Sequence, residues 1–336
     1  MKKGLTPLAA VVMITAFLAP IASARIVASP GFAAQDDAAK KAEADAYKAW
    51  YDAYTAKDTN KAMDAAKAYL QKFPNTDHAK YLTGWVSSTR AAMFNQALQS
   101  KNTDQMIRIS GEVLSQDPDN LDYLYILAAS IRQNELFASP ANFSHAAQEE
   151  DFSSRAIKLI EAGKIPSTVA KDKWNKNLAL ATLYQNLAVI AASKKDENKA
   201  LENYEKSLSL DPGNAFDYLA CGSLRQAKYQ TAVQKYQAMP EADRTADPPK
   251  PEVKDALDEV NKQADAVIDC WAHFMALTAT NNQFGATRNQ VNQALDALYK
   301  FRHPDSPDGL QKLIDQYKAG GGSAAPPANG AGTSGV

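Results

Sequence analysis

Apolar residues recur at the spacing of an α-helix along most of the chain. Between residues 253 and 277 they mark one face of a long amphipathic helix: Val253, Leu257, Val260, Ala264, Val267, Trp271 and Leu277. A shorter face of the same kind follows at Ala294, Leu295, Leu298 and Phe301. No segment keeps the alternation of apolar and polar residues that marks a half-buried strand. The pattern therefore predicts an all-α protein.

Four prolines interrupt this helical pattern at similar intervals, namely Pro74, Pro118, Pro166 and Pro212. Three of them have a leucine four residues earlier and Asn, Thr or Asp just after. A proline disfavours helical backbone in the residue before it, and a short polar side chain caps the helix that follows. The prolines therefore predict a helix–turn–helix unit that repeats about every 46 residues.

Small residues stand at fixed distances from these prolines. Ten residues after three of them come Gly84, Ala128 and Gly222, whereas Lys176 takes this place after the fourth. Twelve residues before them come Ala62, Met106, Ser154 and Ala200. A small side chain in mid-helix lets a neighbouring helix approach closely. The pattern therefore predicts the same close helix crossing in successive repeats.

The segment from Tyr184 to Pro212 carries the clearest repeat. Its members are Tyr184, Leu187, Ala188 and Ala191, a turn at 195–197, and then Ala200, Tyr204, Leu208 and Pro212. This order resembles the tetratricopeptide repeat. The resemblance implies a right-handed solenoid of stacked antiparallel helix hairpins over residues 40–239. The other repeats are longer than the family's, which predicts longer helices or an inserted loop, as at 138–140.

The start of the chain has the features of a secretory signal peptide. Lys2 and Lys3 precede an apolar run, and Ala22-Ser23-Ala24 presents small residues to a signal peptidase. We predict cleavage after residue 24, with an alternative site after Ala33. A retained membrane anchor is the other interpretation, but the run falls short of the roughly 20 residues that a span needs. An exported protein, periplasmic or secreted and without a transmembrane segment after cleavage, is expected.

Three further segments follow the repeats. Residues 240–252 contain Pro240, Pro248, Pro249 and Pro251 and are predicted to be a Pro-rich linker. Residues 253–318 are predicted to form C-terminal helices that cap the solenoid, the last one short and ending near Tyr317. Residues 319–336 are rich in glycine and lack charge, which predicts a disordered tail.

The resemblance also implies a binding face, because the first helix of each tetratricopeptide repeat lines a concave groove. Seven residues are predicted to contact a partner on this basis or as an aromatic stripe on the first helix: Tyr47, Tyr51, Tyr54, Tyr81, Trp85, Tyr125 and Arg132. Tyr, Trp and Arg contribute most of the binding energy at protein interfaces. The alternative is that these aromatic residues belong to the core between repeats.

Motifs for catalysis are missing from the sequence. It has no Gly-rich phosphate loop, no nucleophile elbow and no histidine motif for zinc. His145 and Glu149 stand one helical turn apart and are interpreted as a solvated helix face. His273, close to Cys270, is interpreted as a packed core histidine. We therefore predict no catalytic residue, no metal site and no cofactor.

Charge and cysteine content narrow the choice of partner. The chain has 37 Lys and Arg against 38 Asp and Glu, a net charge of −1, which gives no reason to expect a nucleic-acid partner. Cys221 and Cys270 lie in apolar helical stretches. Two buried free thiols and one disulfide bridge are both open for this pair.

These observations favour a non-enzymatic scaffold of the bacterial cell envelope or secreted space, which binds a protein or peptide on the concave face of a helical array. One alternative is a carbohydrate- or cell-wall-binding accessory module, because exposed aromatic rings serve that function too. Another is a hydrolase whose site lies on the helices after the linker, around Cys270 and His273.

Overall fold

The computed structural model describes residues 33–320, and within them helices are the only regular secondary structure, with no β-strand. Its α-helices are α1 Ala33–Thr55, α2 Thr59–Lys72, α3 Asp77–Gln99, α4 Thr103–Gln116, α5 Leu121–Ile131, α6 Ala146–Glu161, α7 Lys176–Ser193, α8 Glu197–Leu210, α9 Ala215–Gln237, α10 Glu241–Arg244, α11 Pro251–Thr278, α12 Gly285–Arg302 and α13 Leu310–Ala319. A π-helical turn, Arg132–Leu136, continues α5, and short 3₁₀ turns occur at Lys171–Lys173, Asn282–Phe284 and Pro307–Gly309. The all-α class predicted from apolar spacing is confirmed.

The chain divides into two compact units. Unit 1 holds the described residues up to Tyr123 together with Pro166–Ala170, and unit 2 holds Leu124–Ile165 and the chain from Lys171 onwards. In unit 1, α1 packs against α2, α2 against α3, and α3 against α4. In unit 2, each of α6 to α8 packs against the next helix, and α11 packs against α9, α12 and α13. Within residues 33–320, no helix is long and apolar enough to cross a lipid bilayer.

One three-residue turn occurs three times, between α1 and α2, between α3 and α4, and between α7 and α8. Its middle residue is always a lysine with left-handed backbone: Lys57, Lys101 and Lys195, with φ of 59°, 56° and 61°. Its third residue caps the next helix, as the side chains of Asp58, Asn102 and Asp196 each accept a bond from a backbone N–H three residues on. The helix that follows has 14 residues each time.

The predicted proline connection is present after each of these 14-residue helices. Four residues join α2 to α3, α4 to α5 and α8 to α9, with the proline second and a capping Thr76, Asn120 or Asn214 last. Pro166 does not belong to this series. The helix before it ends at Glu161, and α7 begins only at Lys176 after a 3₁₀ turn and the cap Asn175. The sequence already indicates this difference, because Pro166 is the one of the four prolines that lacks a leucine four residues earlier.

The small residues at fixed distances from the prolines differ in their burial and in how closely a neighbouring helix approaches them. Ala62, Met106 and Ala200 are fully buried, and Gly222 lies directly beneath the Trp271 indole. The prediction of a close crossing at Gly84 is wrong, because a Cβ there would have no atom within 4 Å. Leu82 and Val86, two residues to either side, are buried. Gly84 therefore lies on the opposite, exposed face of α3.

The extra length of the repeats has both of the predicted origins. The helix α3 extends over 23 residues, and residues 137–145 form a non-helical loop that contains Pro140. The predicted C-terminal helices correspond to α11, α12 and α13, while α10 falls within the segment predicted as a linker. The signal peptide and nearly all of the predicted tail lie outside the described residues.

Candidate functional site

Five of the seven predicted contact residues come together in unit 1, around the Trp50 indole. Trp50 stacks on Tyr54, with ring centroids 5.3 Å apart and planes 19° from parallel. Tyr81 and Trp85 of α3 meet the indole edge-on, at 5.7 and 5.5 Å. Tyr47 and Tyr51 contact it at 5.2 and 6.3 Å. Because α1 and α3 both contribute, residues far apart in sequence form one aromatic cluster.

Burial divides this cluster into a base and an outer layer. Trp50 is 2% exposed and forms the base. The three tyrosines over it are about half exposed: Tyr51 at 52%, Tyr54 at 48% and Tyr81 at 54%. We call these three, together with the half-buried Trp85, the aromatic surface. Tyrosine and tryptophan have only two side-chain torsions, so ordering these side chains on binding costs little conformational entropy.

A cavity of about 440 Å³ opens beside the aromatic surface. Tyr54 and Trp85 form its ring-bearing wall, and these rings meet edge-on at 6.1 Å. The remaining lining comes from Thr55, Lys57, Thr59, Ala62 and Thr89. The cavity thus combines apolar ring faces with hydroxyls and one ammonium group, and its volume is within the range of small ligand sites.

Tyr47 differs from the other tyrosines because internal contacts occupy its ring. It stacks on His78 with centroids 3.9 Å apart and meets Tyr69 edge-on at 6.1 Å. Tyr69 in turn donates a hydrogen bond to Glu43, which lowers the pKa of that carboxyl. Tyr47 therefore belongs to the support of the aromatic surface.

The other two predicted contact residues, Tyr125 and Arg132, lie in unit 2. Tyr125 is half-buried and packs edge-on against Trp174 at 5.7 Å. The Arg132 guanidinium lies 3.9 Å from the centroid of the Phe137 ring and donates to Asn186 Oδ1 at 2.9 Å. Both side chains are thus engaged by neighbours in their own unit.

Arg132 is part of a buried polar network that the sequence did not predict. Asn186 Nδ2 donates a hydrogen bond to Glu149 Oε1 at 2.6 Å, and the Ser153 hydroxyl donates one to the same oxygen at 2.7 Å. Glu149 is fully buried, so its interpretation as part of a solvated helix face is wrong. Burial raises the pKa of Glu149 to about 8, and the carboxyl is largely neutral at pH 7.

A second buried carboxyl, that of Asp217 in α9, is linked to this network by its electrostatic interaction with Arg132. It accepts hydrogen bonds from Gln185 and from Ser207, the latter at 2.6 Å. Burial raises the pKa of Asp217 to about 6, although both hydrogen bonds oppose the shift. The network joins α6 to α7 through Glu149, and it joins α7 and α8 to α9 through Asp217. It is better suited to holding helices than to binding a ligand.

His273 is a core residue, as predicted. It is 3% exposed and lies between two tyrosine rings, with centroid distances of 4.5 Å to Tyr218 and 3.6 Å to Tyr317. Cys270 is also buried, and its hydrogen bond to Cys221 together with burial raises the pKa of its thiol. The imidazole Nδ1 forms a hydrogen bond with the Asp269 carbonyl oxygen at 3.0 Å, and the Cys270 thiol donates to Cys221.

Within residues 33–320, no group of three or more His, Cys, Asp and Glu side chains is arranged to hold a metal ion. No protein-family model matches the sequence, and no curated protein is significantly similar to it. The tetratricopeptide resemblance of residues 184–212 stays a prediction. The aromatic surface is therefore the feature on which we base a function.

Proposed function

We propose that this chain is a non-enzymatic binding protein, exported to the bacterial envelope or secreted, and that its aromatic surface binds a peptide segment of a protein partner. The observation that carries the proposal is the placement of Tyr51, Tyr54 and Tyr81 side by side over the buried Trp50. Three half-exposed aromatic residues on one face are uncommon on a soluble monomer unless that face binds something.

The physical properties of the aromatic surface suit a peptide. Tyrosine and tryptophan offer a large contact area with few rotatable bonds and a polar group at the rim. The adjoining cavity is wide enough for one or two side chains, and Lys57 at its wall can pair with a carboxylate. The structure thus supports an extended segment that places an apolar side chain in the cavity and an acidic group near Lys57.

For the architecture we propose the right-handed solenoid of helix hairpins, with the C-terminal helices as its cap. The support is local. The same turn, 14-residue helix and proline connection occur three times with equal lengths, and equal connections between equal helices favour a repeated packing geometry. Tyr125 and Arg132 are not part of the proposed binding surface, because neighbours in unit 2 already engage them.

A carbohydrate of the cell wall is the second candidate ligand, favoured by the same half-exposed rings, which can stack on the apolar face of a sugar. A carboxylate beside the rings would bind sugar hydroxyls strongly, because hydrogen bonds to a charged acceptor are roughly twice as strong as neutral ones. The cavity lining has threonine hydroxyls and one lysine but no such group. We therefore propose a peptide, rather than a carbohydrate, as the ligand of the aromatic surface.

The test is selection of displayed random peptides on the immobilised full chain, alongside co-sedimentation with purified cell-wall sacculi. The decisive variant carries Tyr51→Ala, Tyr54→Ala and Tyr81→Ala together. We expect selected peptides to bind this variant roughly 30-fold or more weakly, as hot-spot losses of about 2 kcal/mol imply. The three side chains are half exposed, so the variant is expected to fold.

A matched control removes exposed aromatic rings from unit 2, with Phe216→Ala and Phe301→Ala, which are 40% and 53% exposed. Peptide binding should survive in this control. Equal loss in both variants, or no peptide enriched at all, would contradict the peptide proposal. Retention of sacculi that depends on the three tyrosines would establish the carbohydrate alternative instead.

Export has its own test, which is independent of the ligand. Mass spectrometry of the protein from its bacterial host should show a mature chain that starts at Arg25, or at Ala34 if the alternative site is used. A chain that keeps Lys2 and Lys3 would refute the export part of the proposal without touching the aromatic surface.

A further inference from the structure

Two cysteines from different helices lie in contact inside unit 2. Cys221 of α9 and Cys270 of α11 are 2% and 7% exposed. The Cys270 thiol donates a hydrogen bond to the Cys221 sulfur, with 3.1 Å between the two Sγ atoms. A disulfide bond is about 2.05 Å long, so the sulfur atoms need to approach by only about 1 Å to become bonded.

The close approach has a structural cause in the residues next to each cysteine. Gly222 follows Cys221, and Trp271 follows Cys270. The indole lies so near Gly222 that a Cβ on that residue would be 2.2 Å from Trp271 Cδ1. Since glycine lets the indole settle against the α9 backbone, the two helices run close together at the height of the two thiols.

The surroundings make the two thiols unequal. The hydrogen bond from Cys270, helped by the positive charge of Arg225, lowers the pKa of the Cys221 thiol. The same hydrogen bond and burial raise the pKa of Cys270. Arg225 stands one helical turn beyond Cys221 and pairs with Glu205. Cys221 is thus suited to attack as a thiolate, and Cys270 to react second.

We propose that Cys221 and Cys270 are a modification site at which a disulfide-bearing oxidant, either a small-molecule disulfide or a protein disulfide, cross-links α9 to α11. The Cys221 thiolate attacks one sulfur of the oxidant and releases its first thiolate. Cys270 then attacks Cys221 Sγ, and the second thiolate leaves and takes up the Cys270 proton. Two thiols are oxidised by two electrons, and one disulfide is reduced to two thiols.

The cross-link would stabilise the unit that it closes. It joins residues 49 positions apart and encloses α10, the proline-rich segment and most of α11. Restricting the unfolded chain over a loop of this length stabilises the folded state. We expect the midpoint of thermal unfolding to rise on the order of 5–10 °C on oxidation.

The experiment uses the purified full chain, reduced and then freed of reductant. It is exposed to oxidised glutathione, both in the folded state and during refolding from denaturant. The folded sample tests reactivity through local opening, and the refolding sample removes any barrier of access. Intact mass should fall by two hydrogen atoms, and peptide mapping without reductant should link the segments that contain Cys221 and Cys270.

Single variants test the order of reaction. In Cys270→Ser, Cys221 should accumulate as a mixed disulfide with glutathione, at least about 10-fold faster than Cys270 does in Cys221→Ser. If a buried serine hydroxyl impairs folding, Cys221→Ala and Cys270→Ala replace the serine variants, and the Arg225 charge alone then favours the Cys221 thiolate. The double variant Cys221→Ala/Cys270→Ala should show no thermal shift between oxidising and reducing buffer.

Two results would overturn the inference. If both thiols are still fully alkylated after refolding with oxidised glutathione, no cross-link forms. If both single variants form mixed disulfides at equal rates, the assigned order is wrong. Neither result bears on the aromatic surface, because the two cysteines lie in unit 2 and peptide binding is measured on unit 1 residues.

Discussion

The indole of Trp271 in α11 fills the space above Gly222 in α9, so that an ideal Cβ on Gly222 would lie 2.2 Å from Trp271 Cδ1. Trp271 is 4% exposed and surrounded by core residues. The indole has little room to retreat from an added methyl group. Glycine is therefore required at residue 222 by packing rather than by backbone conformation.

We predict that Gly222→Ala lowers the free energy of unfolding by about 1–3 kcal/mol, the usual cost of overpacking a core. Gly84→Ala is the matched control, since it places the same methyl group in a helix where no atom lies within 4 Å. That change should stabilise the protein by about 0.5–1 kcal/mol, as alanine is the better helix former. Urea unfolding measures both, and a shift in the same direction for both variants would contradict the packing argument.

Replacing one of the left-handed lysines by glycine is predicted to stabilise the protein, which is the opposite of the effect of Gly222→Ala. Lys101 and Lys195 have φ of 56° and 61°, where a Cβ costs roughly 1 kcal/mol. Replacing either by glycine should raise the free energy of unfolding by up to about 1 kcal/mol, reduced in part by the larger entropy of glycine in the unfolded chain. Thermal unfolding is a sufficient measurement.

The control for these lysines is alanine, which removes the charged side chain and keeps the Cβ. Lys101→Ala should change stability little. If it stabilised the chain as much as Lys101→Gly does, the effect would come from the lost ammonium group, and the account based on backbone conformation would be wrong.

The raised pKa of the buried Glu149 carboxyl predicts that the stability of the protein depends on pH. The carboxyl titrates near 4.5 when unfolded and near 8 when folded. Between these values the unfolded chain releases a proton that the folded chain keeps, so the free energy of unfolding falls as the pH rises. The free energy of unfolding falls by at most roughly 1.4 kcal/mol per pH unit. It does not depend on this carboxyl's titration below about pH 4.5, and it falls no further above about pH 8.

Glu149→Gln should remove this loss, so its stability relative to the unchanged protein should improve steadily from pH 5 to pH 8. Glu150→Gln is the neighbouring control. Glu150 pairs with Lys194 and Lys199, which lowers its pKa, so it is ionised in both states over this range. Urea unfolding at several pH values should show a constant offset for Glu150→Gln and a sloping one for Glu149→Gln. Parallel slopes would refute the assignment to Glu149.

Trp50 and Tyr81 touch one another and are predicted to respond differently. Trp50 is buried, and Trp50→Ala should cost about 3–5 kcal/mol. Tyr81 is 54% exposed, and Tyr81→Ala should cost less than about 1 kcal/mol. Comparable losses of stability would mean that the tyrosine belongs to the core, and the aromatic surface would no longer be free to bind.

The parts of the fold that were predictable from sequence depend on local signals. Most of the buried face of α11 follows from the spacing of Val253 to Trp271, although Leu257, which was predicted to belong to it, is exposed. The proline connections follow from a proline close to a capping residue. Each of these signals operates within one or two helical turns. They locate helices, but they do not say which helix lies against which.

The failures concern contacts between distant residues. Gly84 matched the position of a close crossing, but the core face of the 23-residue α3 turns it outward. Glu149 resembled a surface acid, whereas Asn186, 37 residues away, provides its hydrogen bond inside the unit. Five of the predicted contact residues lie around Trp50. Trp50 itself could not be distinguished as their buried centre, because Tyr47, Tyr51 and Tyr54 lie within about two turns of it on α1 and the sequence does not show how α3 packs against them.

The repeated turn has a practical consequence for building with this chain. Residues 56–58, 100–102 and 194–196 share length, backbone handedness and the chemistry of their cap. Turns of the same length and backbone conformation can be exchanged between the helix pairs that they join. A chain in which the tripeptide at 100–102 replaces the one at 194–196 should therefore assemble as before, and these joints are natural places to lengthen, shorten or recombine the protein.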